Sequence, residues 1–262
     1  MTLDDALDAL KALGDADRAD AAAAYHKVTR PYLGVPNPVL NDLAQDWRRS
    51  MTLDDRLSLA SALWQTDIHE ARVAAAKLLT QARIRPDDAQ VWWLICSWVP
   101  DFDAWAIADH VCMAGQRRIM ADLSRLEEVE AWTTHEDLWT RRAALVITLG
   151  LTRSNHPSAA EAAARARVLG WAAGYVSDSR WFIQKAVAWW LRDLSKHDPA
   201  AVAAFLAEHG AGLRGFARKE AAKYLPRDMV PDMSADLPET GSDTGSDTAS
   251  DIGPEDPPGE EA

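Results

Sequence analysis

Apolar residues recur at intervals of three and four through the first 225 positions, the spacing of one buried helix face. The pattern predicts helices over roughly 2–13, 16–28, 37–48, 53–65, 68–82, 87–98, 101–113, 115–131, 135–150, 158–174, 179–196, 199–208 and 214–224. No run alternates convincingly, as a half-buried strand would. Several helix ends carry matching chemistry. Thr52 precedes an apolar-periodic run and Asp55 follows three residues later, a start resembling a capping box, in which each side chain satisfies the other's backbone donor. Asn37-Pro38 and Asp198-Pro199 place proline in a first turn, where its missing N–H is no loss. Gly210 follows a helix end.

Short helices in a long row suggest a repeat. A charged residue near alanines returns on successive amphipathic segments: Arg72 in HEARVAAAKLL, Arg142 in WTRRAALVITL, Lys185 in FIQKAVAWWL and Lys219 in ARKEAAKYL, with Asp109 in the slot between the first two. The intervals of 33–43 residues match helix-pair repeats of the HEAT type. One pair cannot bury its own apolar stripe. Stacking is therefore expected to build an all-α superhelical solenoid of about six helix pairs. With the second helix of each pair on the inside, the five positions would share a concave basic and aromatic face.

Charge is unevenly distributed. The net charge is −12, yet residues 226–262 hold eleven acidic side chains against Arg227 alone, which leaves residues 1–225 at −2. The end of the chain, TGSDTGSDTASDIGPEDPPGEEA, has too few apolar groups to fold. A domain over 1–225 and a disordered acidic tail over 226–262 are expected. A near-neutral domain still suits a nucleic acid if its arginines gather on one face, and 21 of the 28 basic residues are arginine, the better phosphate fork. No apolar run approaches the ~18 residues of a membrane span. The start, MTLDDALDAL, lacks the basic and apolar regions of a secretory signal. Cys96 and Cys112 have neither disulfide nor metal spacing. A cytoplasmic protein with no membrane contact is expected.

Twelve tryptophans are many for 262 residues. Trp64, Trp92, Trp93 and Trp98 are expected in helix interfaces. Others lie beside charge at helical spacing. Trp105 and Asp109 are four apart and share a helix face. An indole beside a carboxylate makes a site for a cation, through the ring quadrupole and a full charge. The plainer alternative is that Asp109 pairs with Arg142 on the next repeat while Trp105 packs. Arg141 and Arg142 point different ways, one toward the stack or concave surface and the other to solvent. Trp181, Lys185 and Trp189 are successively four apart, and Arg192 continues that face. Such a stripe suits a nucleotide surface, and a snorkelling amphipathic helix looks the same. The seven histidines form no HExxH pattern, and no GxSxG, P-loop or GxGxxG motif occurs. No metal or other cofactor is expected.

Together these segments resemble the AlkD family of alkylpurine DNA glycosylases over most of 1–225. Four matches, in order, carry the resemblance. AYHKVTRPYLGVPNPVLNDLAQDW is similar to the family's opening, an aromatic helix followed by Gly-Val and a proline-started helix. Trp105 and Asp109 match its Trp-x-x-x-Asp, and Arg142, in Leu-Trp-x-Arg-Arg-Ala-Ala, matches its functional arginine. Phe-Ile-Gln-Lys-Ala-x-x-Trp at 182–189, followed by Leu191-Arg192, matches a helix near its C-terminus. The resemblance implies a catalytic carboxylate at Asp109, with Trp105 and Trp189 flanking the lesion's sugar and backbone. It also implies a phosphate contact at Arg142, a DNA contact at Tyr25 and an aromatic pair at Trp181 and Phe182, where this chain has tryptophan for one member. Lys185, Arg192 and Arg218 complete the expected DNA-contacting set. The implied activity is hydrolysis of the N-glycosidic bond of cationic N3- or N7-alkylated purines, such as 7-methylguanine and 3-methyladenine, in duplex DNA, by a monomer. The family holds the lesion stacked and contacts the backbone. The acidic tail lies outside the family pattern. A non-catalytic DNA-binding array and a protein-interaction scaffold are the competing readings.

Overall fold

Every regular element among the residues described by the computed structural model, Met1–Pro231, is helical. The α-helices are α1 (Leu3–Ala12), α2 (Ala16–His26), α3 (Asn37–Ser50), α4 (Leu53–Gln65), α5 (His69–Leu78), α6 (Ala89–Trp98), α7 (Trp105–Ala121), α8 (Leu126–Glu130), α9 (Leu138–Val146), α10 (Ala159–Tyr175), α11 (Trp181–Ser195), α12 (Pro199–His209) and α13 (Gly215–Ala221). Their starts follow from the sequence. Thr52 caps α4, accepting from the Asp55 amide at 3.2 Å, while the Asp55 carboxylate accepts from the Thr52 amide. Asp198 accepts from the Ala201 amide at 3.1 Å to start α12, with Pro199 in its first turn.

Helices α3, α5, α7, α9, α11 and α13 pack side by side in chain order. Behind them, α4 lies on α5, α6 on α7, and α10 and α12 on α11. The charged positions that recur at repeat spacing, Arg72, Asp109, Arg142, Lys185 and Lys219, fall one on each of α5, α7, α9, α11 and α13. The core between the two layers is alanine, leucine and tryptophan. Trp64 is fully buried, stacks on Trp98 with centroids 4.4 Å apart and donates its indole N–H to Asp101 at 2.8 Å. That bond removes the cost of burying the ring's one donor.

Two expectations are corrected. The helices predicted over 101–113 and 115–131 are mainly one, α7, which runs through Gly115, followed by a 3-10 turn and the short α8. At Gly115 a Cβ would stand 2.4 Å from Ile147 Cδ1, so any larger residue there would force the Ile147 side chain to shift. The gap left between the two predicted helices falls at a close approach of α7 to Ile147. Trp93, expected in an interface, is 71% exposed on α6, whereas Trp64, Trp92 and Trp98 are buried. The charged interior was also not anticipated. Arg118 is wholly buried and donates to Asp88 and to the Ala82 carbonyl at 2.9 Å, and Arg125 joins it on Asp88. This pins the segment between α5 and α6 to α7. The described unit reaches Pro231 through a 3-10 turn at Arg227–Met229. The rest of the expected tail lies outside the described residues.

Candidate nucleic-acid interface

Trp105 is the first residue of α7, and Asp109 lies one turn on along the same face. Tyr25, exposed near the end of α2, presents its ring edge to the half-buried Trp105 at 6.0 Å between centroids. His26 lies 5.4 Å from the same indole and stacks on His69 at 4.7 Å, and Tyr32 stacks on His69 at 4.9 Å. Residues of α2, of the loop after it, of α5 and of α7 thus form one aromatic cluster. Burial pushes His69 down to about 3, with the charges of His26 and Arg30 acting in the same direction. Its imidazole is neutral at pH 7. The Arg30 guanidinium, with its side chain 2% exposed, sits below, paired with Asp67 at 3.5 Å and with Asp103.

The Asp109 side chain is 8% exposed and accepts from both terminal nitrogens of Arg142, Nη2 to Oδ2 at 3.1 Å. Desolvation works against the Arg142 charge, but the neighbouring Asp109 carboxylate outweighs it and holds Arg142 above the ordinary guanidinium value. Of the two readings the spacing left open, the pairing of Asp109 with Arg142 is the one observed. The fork expected to grip a phosphate is therefore occupied, and both charges lie in the α7–α9 seam instead of standing free on the open face. The Arg142 Nε is buried without a hydrogen-bond partner. Of the two neighbouring arginines, Arg142 faces the stack, and Arg141 is partly exposed, 4.8 Å over the Tyr175 ring and 3.4 Å from Asp178.

A second cluster surrounds the start of α11. Trp181, 42% exposed, packs on Phe216 of α13 at 4.0 Å, and Lys185 Nζ lies 5.3 Å from the Trp181 ring centre. Phe182 packs on Trp139 of α9 at 4.7 Å. Trp189 is half-buried against the core. Arg192, expected at DNA, is engaged by Glu220 and by Asp193 at 3.7 Å. Arg218 is half-buried on α13. The structure thus joins Tyr25, Trp105, Asp109 and Arg142 in one place, and Trp181 and Lys185 in another. Among the described residues no group of three or more His, Cys, Asp or Glu is placed to hold a metal ion, and no helix is long and apolar enough to cross a membrane.

Residues 6–225 match the model of a family described as DNA alkylation repair enzyme. The chain belongs to that family. Among solved structures it is similar to a predicted DNA alkylation repair enzyme from Enterococcus faecalis, with a TM-score of 0.68 and 23% identity, covering 82% of this chain and 97% of that one. It is also similar to smu.31 from Streptococcus mutans UA159, with a TM-score of 0.52, 20% identity and coverage of 71% and 92%. AlkD2 from Streptococcus mutans gives a TM-score of 0.52 and 20% identity, covering 71% and 88%. At these identities the likeness speaks for the fold. No curated protein matches the chain.

Two features of this family member escaped the sequence reading. His26, Tyr32 and His69 share no helix, so no spacing linked them. Arg83, Arg117 and Arg153 line one groove. Their intervals of 34 and 36 residues carry the repeat period and could have revealed them.

Proposed function

We propose that this DNA alkylation repair family member hydrolyses the N-glycosidic bond of cationic N3- or N7-alkylated purines in duplex DNA, with 7-methylguanine and 3-methyladenine as substrates. The observation that carries the reading is the Trp105 indole one turn from the Asp109 carboxylate, at the edge of an aromatic cluster that includes Tyr25. Alkylation at N3 or N7 gives the base a positive charge and weakens its bond to the sugar. As that bond breaks, its electron pair leaves with the base. The base becomes neutral, and the positive charge appears on the deoxyribose as an oxocarbenium-like centre. Water adds at the sugar carbon and gives up a proton. Asp109 stabilises the sugar charge and orients the water, while Trp105 and Trp189 flank the sugar and backbone. Preorganised charge of this kind contributes ~3–4 kcal/mol, roughly 10²–10³ in rate. That suits an already labile bond and would be too little for an unmodified nucleoside.

Arg142 limits Asp109 in the free protein. A cation about 4 Å from a carboxylate gains about 4 kcal/mol at an effective dielectric of 20, and a guanidinium about 7 Å away takes back about 2.4. A lesion-strand phosphate would reach the Arg142 guanidinium, and draw its charge away from Asp109, only once the side chain moves out of the seam, because its Nε is buried. Purified protein should release 7-methylguanine from methylated duplex DNA above the spontaneous rate, and Asp109→Asn should return release to that rate. Wild-type release no faster than the spontaneous rate overturns the reading. The buried Asp109–Arg142 pair equally favours a non-catalytic DNA-binding array, in which duplex binding survives Asp109→Asn and no base is released.

A further inference from the structure

We infer that Arg83, Arg117 and Arg153 form a phosphate track for the strand opposite the lesion. The proposal rests on the duplex-DNA part of the functional reading and is independent of the excision step. A shallow groove runs between the segment joining α5 to α6, the second half of α7 and the 3-10 turn after α9. Its lining includes Arg83, Gln116, Arg117, Met120, Gly150 and Arg153, and no carboxylate. An adjoining groove shares Arg83, adds Arg56 and Arg85, and is likewise free of carboxylates.

Among the described residues, Arg83, Arg117 and Arg153 make no hydrogen bond or ion pair. This sets them apart in a domain whose arginines are mostly spoken for. Arg30, Arg72, Arg118, Arg142, Arg165 and Arg167 each hold a carboxylate. The backbone beneath the three is fixed. The buried Arg118 ties down the Ala82 carbonyl next to Arg83. Gly150 lets the turn carrying Arg153 close onto α7, where a Cβ would meet Met120 Cγ at 2.9 Å. Three uncompensated guanidiniums on a rigid base repel one another, and a polyanion relieves that repulsion. Planar guanidinium forks suit phosphate oxygens.

The spacing selects the kind of polyanion. Neighbouring helices lie about 8–10 Å apart, so if the three arginines keep one repeat's spacing they would cover roughly 16–20 Å, five or six nucleotide steps at about 3.4 Å per step. Along α7, Arg117 stands eight residues beyond Asp109, about 12 Å. Two parallel lines result. One carries Trp105 and the Asp109–Arg142 pair, and the other the free arginines. Two lines about 12 Å apart match the two strands bordering one groove of a duplex, whereas a single strand occupies only one.

The test uses full-length protein, a fluorescent unmodified duplex and the single strand of the same sequence, titrated with salt. Each phosphate contact adds about 0.9 to the slope of log affinity against log salt, close to eightfold in affinity at 0.1 M salt. For Arg83→Gln/Arg117→Gln/Arg153→Gln the duplex slope should fall by about 2.7 and affinity by two to three orders of magnitude. Arg117→Gln alone should lower the slope by about 0.9 and serves if the triple variant does not fold. Arg167→Gln on α10, where the arginine pairs with Glu130, should bind as wild type. Single-strand binding should hardly change. A triple variant with wild-type duplex affinity and slope overturns the track, and so does an equal loss on single and double strands. Base release alongside arginine-independent duplex binding defeats the track alone. Arginine-dependent duplex binding without base release supports the track and defeats the excision chemistry.

Discussion

Removing the charge at Asp109 tests two things at once, and a double variant separates them. Asp109→Asn leaves the Arg142 guanidinium 5% exposed, its fork facing a neutral amide and its Nε already without a hydrogen-bond partner. Stripping one member from a buried ion pair costs about 3–5 kcal/mol. For a domain of this size each kcal/mol moves the melting temperature by about 2–4 °C, so a fall of roughly 6–20 °C is expected. Base release should fall by about 10²–10³ as the sugar cation loses its stabiliser. In the single variant both losses arrive together, and lost activity alone would not distinguish chemistry from unfolding. Asp109→Leu/Arg142→Met removes both charges and fills their volume with apolar groups. Replacements of this kind are neutral or stabilise by about 1–4 kcal/mol. The double variant should therefore melt at or above the wild-type temperature while releasing 7-methylguanine only at the spontaneous rate. Thermal melts by circular dichroism and base release at 25 °C, where both proteins are folded, provide the two readouts. Wild-type release by the double variant would refute the role given to Asp109. An Asp109→Asn protein that melts with the wild type would refute the claim that Arg142 depends on it.

Further expectations follow from the packing and the buried imidazole. Gly115→Ala should gain about 0.8–1 kcal/mol from helix propensity, but the new methyl meets buried Ile147 at 2.4 Å and overpacking costs about 1–3 kcal/mol. A lower melting temperature is expected, and a higher one would show that Ile147 yields freely. His69 has a folded pKa of about 3, below its unfolded value of 6.5, so the unfolded state binds the extra proton. Its stabilising contribution is complete above pH 6.5 and is lost as pH falls from there toward 3. His69→Phe should flatten the decline in melting temperature between pH 7 and 5, and parallel curves for the two proteins would contradict the burial argument.

The helical class, the row of alternate helices and most helix ends were legible because period, caps and prolines are local signals. Thr52, Asp55, Asp198 and Pro199 behave as their sequence positions dictate. The break predicted between 113 and 115 is absent, and nothing near residue 115 in the chain announces the close approach to Ile147. Trp93 reads like Trp92, its neighbour, yet 100° of helix rotation takes it from core to solvent. Spacing left Asp109 either facing a cation or paired with Arg142, and their meeting across α7 and α9 decides for the pair. The buried Arg118–Asp88 pair had no such local sign.

The repeat period says which residues line up, while their phase around the helix decides what they are free to do. Arg117 follows Asp109 on α7 by eight residues, a rotation of about 80°. At the phase of Asp109 the side chain enters the seam with α9 and meets Arg142, the corresponding residue one repeat later. At the phase of Arg117 the side chain clears the seam, and Arg83, in the segment before α6, and Arg153, in the 3-10 turn after α9, line the same groove without a carboxylate. A domain with a net charge of −2 can therefore present a continuous cationic line without any basic excess, provided its neutralising pairs are drawn into the seams. On the proposed reading, backbone affinity and lesion chemistry would fall to different sets of residues. A substitution that frees a seam charge should affect excision, and one on the exposed phase should affect duplex binding.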